Sequence, residues 1–95
     1  MNFGEAMILA REGKRIARRG WNGKGMYIYF VQGRTVPVDD WKACDEAQEP
    51  TDHERLTGFV TILPHLDMYS AQGTRVIGWL ASQTDMLSDD WEIVS

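Results

Sequence analysis

The run Met26-Tyr27-Ile28-Tyr29-Phe30-Val31 constrains the fold more than any other segment. Aromatic and β-branched residues dominate it, which is the composition of a strand. Met26, Ile28 and Phe30 alternate with Tyr27, Tyr29 and Val31. Apolar and aromatic residues on both sides predict that both faces of this strand are covered. Shorter runs supply neighbours. Lys14–Arg18 reads as one strand and Phe59–Leu63 as another. Leu66–Tyr69 and Thr74–Trp79 form a hairpin around Ala71-Gln72-Gly73, and Trp91–Val94 closes the chain with Trp91 and Ile93 on one face.

Ahead of the sheet, Asn2 followed by Glu5 has the spacing of a capping box. Phe3, Ala6, Met7 and Ala10 recur at helical steps, which predicts a helix over 3–12 ended by Gly13. Ser82 or Thr84 is placed to cap a second, short helix through Leu87. Residues 39–54 are acidic and broken by Pro50, and read as a long surface excursion with room for one helical turn. The expected class is α+β: an N-terminal helix packed on a mostly antiparallel β-sheet, in a single small domain over 1–95.

A chain of 95 residues with 43% hydrophobic and 25% charged residues suits one soluble domain. At this size oligomerisation is a common supplement to the core. No apolar run approaches the roughly 20 residues that span a bilayer. The first residues lack the pattern of a signal peptide. The lone Cys44 excludes an internal disulfide framework, so the cytoplasm is the default compartment. The net charge of −4 is unevenly spread: residues 1–34 carry +5 and residues 35–95 carry −9. A basic first third suits a phosphate-bearing ligand, while the acidic remainder disfavours a nucleic acid polymer.

Two Trp-centred segments carry the chemistry. One is Gly20-Trp21-Asn22-Gly23-Lys24-Gly25-Met26. The other is Gly78-Trp79-Leu80-Ala81-Ser82-Gln83-Thr84-Asp85-Met86, followed by Asp89-Asp90-Trp91. Each sets an indole beside amide, hydroxyl or carboxylate groups, the equipment for gripping a flat polar ligand. Four Trp also suffice to fill a small core, and the residues alone leave both roles open. Catalytic alternatives are thin. Cys44 and His53 are the only nucleophile–base pair suggested by order. His65 and Asp67 share a strand face but are two ligands where a metal needs three or four. Asp89-Asp90 fits an exposed turn as readily as acid–base work. Gly20, Gly23 and Gly25 lack the spacing of a dinucleotide fingerprint.

These segments, with Asn2-Phe3-Gly4-Glu5-Ala6, Gly13-Lys14-Arg15-Ile16-Ala17-Arg18 and Pro64-His65-Leu66-Asp67-Met68, resemble the second type of Thoeris anti-defense protein, a family of small phage proteins. The motif resemblance runs nearly end to end and departs over 35–60. It implies a sponge, not an enzyme, without cofactor or metal. Such a protein binds a cyclic ADP-ribose isomer made by bacterial TIR proteins and holds it uncleaved in the host cytoplasm. The resemblance also implies a homotetramer with pockets where protomers meet, and cyclic dinucleotides held at a separate site. The competing functions are an enzyme that degrades a nucleotide signal and an acidic protein-interaction module.

On that reading Trp21 or Trp79 stacks the base. Asn22, Ser82, Gln83 and Thr84 bond base edges and ribose hydroxyls, and Asp67 and Asp85 accept from ribose. Arg18 and Lys24 meet the pyrophosphate, with backbone amides near Gly23 and Gly25. Trp21 is the foremost site residue, because a glycine-flanked loop is an odd place for a purely structural indole. Holding a scarce signal calls for nanomolar affinity, about −12 kcal/mol.

Overall fold

The computed structural model describes residues 1–43 and 48–94. The chain forms two compact units, 1–31 with 65–95, and 32–64. In the first unit, helix α1 (Phe3–Arg11) precedes strands β1 (Arg15–Arg18) and β2 (Tyr27–Val31). Asn2 Oδ1 accepts from the Glu5 amide at 2.8 Å and Glu5 Oε1 accepts from the Asn2 amide at 3.0 Å, the expected capping box. The unit resumes with β5 (His65–Tyr69), β6 (Arg75–Val76), helix α3 (Gln83–Leu87) and β7 (Trp91–Val94). The strand order is β6-β5-β2-β1-β7, antiparallel throughout. β2 lies at the centre, with Ile28 buried and its other residues half-buried.

Register puts Ile16 opposite Ile28 and Ile93, and Arg18 opposite Trp91. Ala6, Ala10, Ile16, Ile28 and Trp91 make the buried core, with Phe3, Met7, Trp21, Leu66, Met68 and Trp79 packed against it. The small Ala6 and Ala10 let α1 lie close on the sheet. Tyr27, Tyr29 and Tyr69 lie on the other face of this sheet. There Tyr27 and Tyr69 stack across β2 and β5, with ring centroids 5.2 Å apart. Arg15 lies over Tyr27 and Arg75 over Tyr69, which makes a layered ridge of rings and guanidinium groups.

The second unit holds a two-stranded ladder of β3 (Arg34–Pro37) and β4 (Phe59–Ile62), a 3-10 helix Val38–Ala43 and helix α2 (Asp52–Thr57). This corrects one part of the expectation for 39–54: helical segments at both of its ends take the place of one helical turn. The 3-10 helix runs to Ala43 and α2 begins at Asp52, with Thr51 and Glu54 forming the same box as Asn2 and Glu5. Trp41 is buried and donates its indole N–H to the Gln48 carbonyl at 2.6 Å. Cys44 lies outside the described residues, and so does any pairing of it with His53. A second correction concerns the expected strand Thr74–Trp79. β6 ends at Val76, because the Gly78 amide turns to Asp67 Oδ1 at 2.7 Å and leaves the ladder. Among the described residues no helix is long and apolar enough to cross a membrane.

Candidate functional site

The site begins at the end of β1. Alternation along that strand sends Ile16 and Arg18 toward the helix-covered side, and Ala17 and Arg19 to the other. The chain then loops through Gly20–Met26 before entering β2. Gly25 takes φ +80°, a left-handed conformation that a side chain would strain. Asn-Gly pairs often adopt that conformation, but neither Asn22 nor Gly23 has positive φ. Gly23 is required for another reason. A Cβ there would meet Met26 Sδ, and Ala71 Cβ at 2.7 Å. Its bare backbone lets the loop lie against its neighbours.

Behind the loop sits a polar knot centred on Asp85. Ser82 caps α3: its hydroxyl accepts from the Asp85 amide at 3.0 Å, and Asp85 Oδ2 accepts from the Ser82 amide at 3.1 Å. That box fixes the carboxylate on the first turn of the helix. Its other oxygen, Oδ1, accepts from Arg18 Nη1 at 2.9 Å and from Trp21 Nε1 at 3.1 Å. The Asp85 carbonyl accepts from Trp91 Nε1 at 2.9 Å. Arg18 Nε donates to Asp90 Oδ1 at 2.9 Å, and Asp90 Oδ2 accepts from the Gly20 amide at 2.8 Å.

Asp85 is only 9% exposed. Burial pushes its carboxyl pKa up, but the donors from Trp21, Arg18 and Ser82 outweigh it and bring the group down from 3.8 to about 2. The Arg18 hydrogen bond holds Asp90 below its ordinary range, aided by the Gly20 amide and opposed by burial. The two carboxylates raise the Arg18 pKa in turn, Asp90 foremost. A buried charge with this many partners is stabilising as a set and costly to break.

Over the knot the indoles meet edge to face. Trp21 lies 5.4 Å from Trp91 and 6.1 Å from Trp79, and Trp79 lies 6.2 Å from Trp91. Such pairs are each worth roughly 0.5–1.5 kcal/mol beyond their buried area. Trp21 is therefore half-buried, with its N–H committed to Asp85, while one part of it still reaches a groove.

That groove encloses about 300 Å³ and is lined by Ala17, Arg18, Arg19, Trp21, Gly23, Lys24, Gly25, Met26, Glu92 and Val94. It gathers four of the residues singled out from sequence: Arg18, Trp21, Gly23 and Lys24. No hydrogen bond among the described residues uses the Gly23 or Gly25 amides. Asn22 is exposed beside the groove and does not line it. Asp85 and Ser82 stand behind it in the knot, and Trp79 behind Trp21. Gln83 and Thr84 are exposed on α3, outside the lining. Asp67 is elsewhere: 4% exposed, accepting from the Gly78 amide and 3.2 Å from His65 Nε2.

Sequence reasoning missed Arg19, Met26 and Glu92 as lining residues, and Asp90 as the second anchor of Arg18. Strand alternation from Ala17 was the available signal for Arg19. Among the described residues no group of three or more His, Cys, Asp or Glu could hold a metal ion.

The family model for the Thoeris anti-defense 2-like domain matches residues 1–94. The match runs through 35–60, where the sequence motifs depart. A protein of Bacillus phage SP01 described as Thoeris anti-defense 2 is 30% identical over 95 residues, covering 100% of this chain and 96% of that protein.

Proposed function

This chain belongs to the Thoeris anti-defense 2-like family, and from that premise we propose that it is a nucleotide sponge. It binds a cyclic ADP-ribose isomer made by bacterial TIR proteins, holds it without cleaving it, and so silences Thoeris immunity in the host cytoplasm. The observation that carries this reading is the groove where Trp21, Lys24 and the open amides of Gly23 and Gly25 converge. An indole offers a stacking edge for the base, and cations with free amides suit a pyrophosphate.

At about 300 Å³ the groove is at the small end for a nucleotide of this size. A second protomer would supply the missing wall, and we propose a homotetramer. Support comes from apolar side chains left in water: Leu80 is 92% exposed and Leu87 82%, with Ile77 and Ile8 also largely exposed. Native mass spectrometry checks this, and a monomer at micromolar concentration would reject it.

The ridge of Arg15, Tyr27, Tyr69 and Arg75 favours a second reading beside the first: cyclic dinucleotides held at a separate site on that ridge. Its two guanidinium groups suit two phosphates.

The deciding experiment is capture and release. Purified protein is mixed with the TIR-made isomer, washed free of unbound nucleotide and heat-denatured, and the supernatant is analysed by chromatography. Intact nucleotide in stoichiometric amount is the expected result. Altered nucleotide would show an enzyme, and none at all would reject this ligand.

A further inference from the structure

The groove presents three cations, Arg18, Arg19 and Lys24, and the knot behind it treats them unequally. Arg18 Nε and Nη1 are each 2.9 Å from a carboxylate oxygen, and Nη2 is 3.5 Å from a third. Two carboxylates bracket one guanidinium, so the cluster carries a net charge of −1. A phosphate approaching Arg18 also approaches Asp85 and Asp90 and gains little.

Arg19 differs. Its backbone amide is fixed by the Asp90 carbonyl at 3.1 Å. Its side chain is 72% exposed and lies 3.9 Å from Glu92 Oε2, itself half-exposed. An ion pair of that length and exposure is worth little and exchanges readily. Lys24 stands across the same groove, with no ion pair among the described residues.

We propose that Arg19, with Lys24, makes the cationic contact to the diphosphate of the bound nucleotide, while Arg18 is a positioning residue that holds Trp21 and Gly20 in place. Glu92 is the internal competitor that a ligand displaces. This inference rests on the ligand reading above. It assigns the anion-binding task to a residue that the motifs did not mark.

The test is a calorimetric titration of the wild-type protein, Arg19→Gln, Arg19→Lys and Glu92→Gln with the TIR-made cyclic ADP-ribose isomer. Losing a charge-assisted hydrogen bond predicts at least a tenfold weaker Kd for Arg19→Gln, about the lower end for such bonds. Arg19→Lys recovers part of the loss. Glu92→Gln tightens binding by roughly twofold to fivefold, the scale of an exposed ion pair. All three differences shrink in high salt. Partial rescue by lysine and the gain from Glu92→Gln are effects that a merely structural role for Arg19 would not produce. If Arg19→Gln binds as the wild type does, the inference falls and the sponge reading stands. If the wild type does not bind, both fall.

Discussion

Arg18 and Arg19 are adjacent, identical in side chain, and placed in opposite circumstances. Arg18 points into the knot, where Asp85 and Asp90 use its donors and Trp21 shares one of the same oxygens. Arg19 points along the groove, held only loosely by Glu92. One side of the strand end is internally satisfied and rigid. The other leaves donors in water next to an indole and bare backbone. Rigidity on the first side makes the second useful, because a groove wall that does not move costs no ordering on binding. The comparison also separates two jobs that a sequence motif merges: residues that build the groove, and residues that leave their donors open to it.

The difference predicts where the molecule breaks. Asp85→Ala leaves Arg18, the Trp21 indole and the Ser82 amide without their acceptor. A loss of roughly 3–5 kcal/mol is expected, enough to lower the thermal midpoint by more than ~10 °C. Arg19→Gln, on the other side, should stay within about 0.5 kcal/mol of the wild type. Thermal melts of the two variants check both, and equal losses would erase the distinction.

Acid sharpens the same contrast. The Asp85 carboxyl sits at about 2 in the folded protein against an ordinary 3.8. A folded value below the unfolded one adds stability that is complete above about pH 4 and lost as the pH falls toward 2. The amount is on the order of 2 kcal/mol. Denaturant unfolding at a series of pH values should show that decline, and Asp85→Asn should flatten it. A slope unchanged in the variant would mean that other carboxylates carry it.

The groove wall gives a further test, of steric fit. Gly23→Ala drives a methyl group against Met26 and Ala71 and is expected to cost ~1–3 kcal/mol. If that variant melts with the wild type, the loop has room that the close approach denies.

Local chemistry was legible and long-range chemistry was not. The box at Asn2 and Glu5, the helix after it, the central strand and the cap at Ser82 all follow from neighbours a few residues apart. The helix Asp52–Thr57 carried an equally good local signal in Thr51 and Glu54. It was obscured by acidic composition, by Pro50, and by the absence of any buried residue on it. β3 hid behind Pro37 and two exposed positions. The site divides in the same way. Trp21, Gly23 and Lys24 stand together in sequence and in space. Asp85 reads as a ligand acceptor in its motif, yet its oxygens meet donors 64 and 67 positions away. No spacing rule reports such a meeting. Trp91, in contrast, takes the core role that the sequence left open for all four Trp, at 2% exposed.

The knot also has a schedule. Its members come from the end of β1, the loop after it, the first turn of α3 and the residue before β7. On a growing chain, Trp21 and Arg18 emerge long before the carboxylates that lock them. Contacts this distant in sequence slow folding, because the intervening chain must be closed first. During synthesis the groove therefore has its cations but not its fixed shape until Asp90 and Trp91 have left the ribosome. A partly made chain exposes its indoles, and the groove takes its fixed shape in one step once both carboxylates are in place.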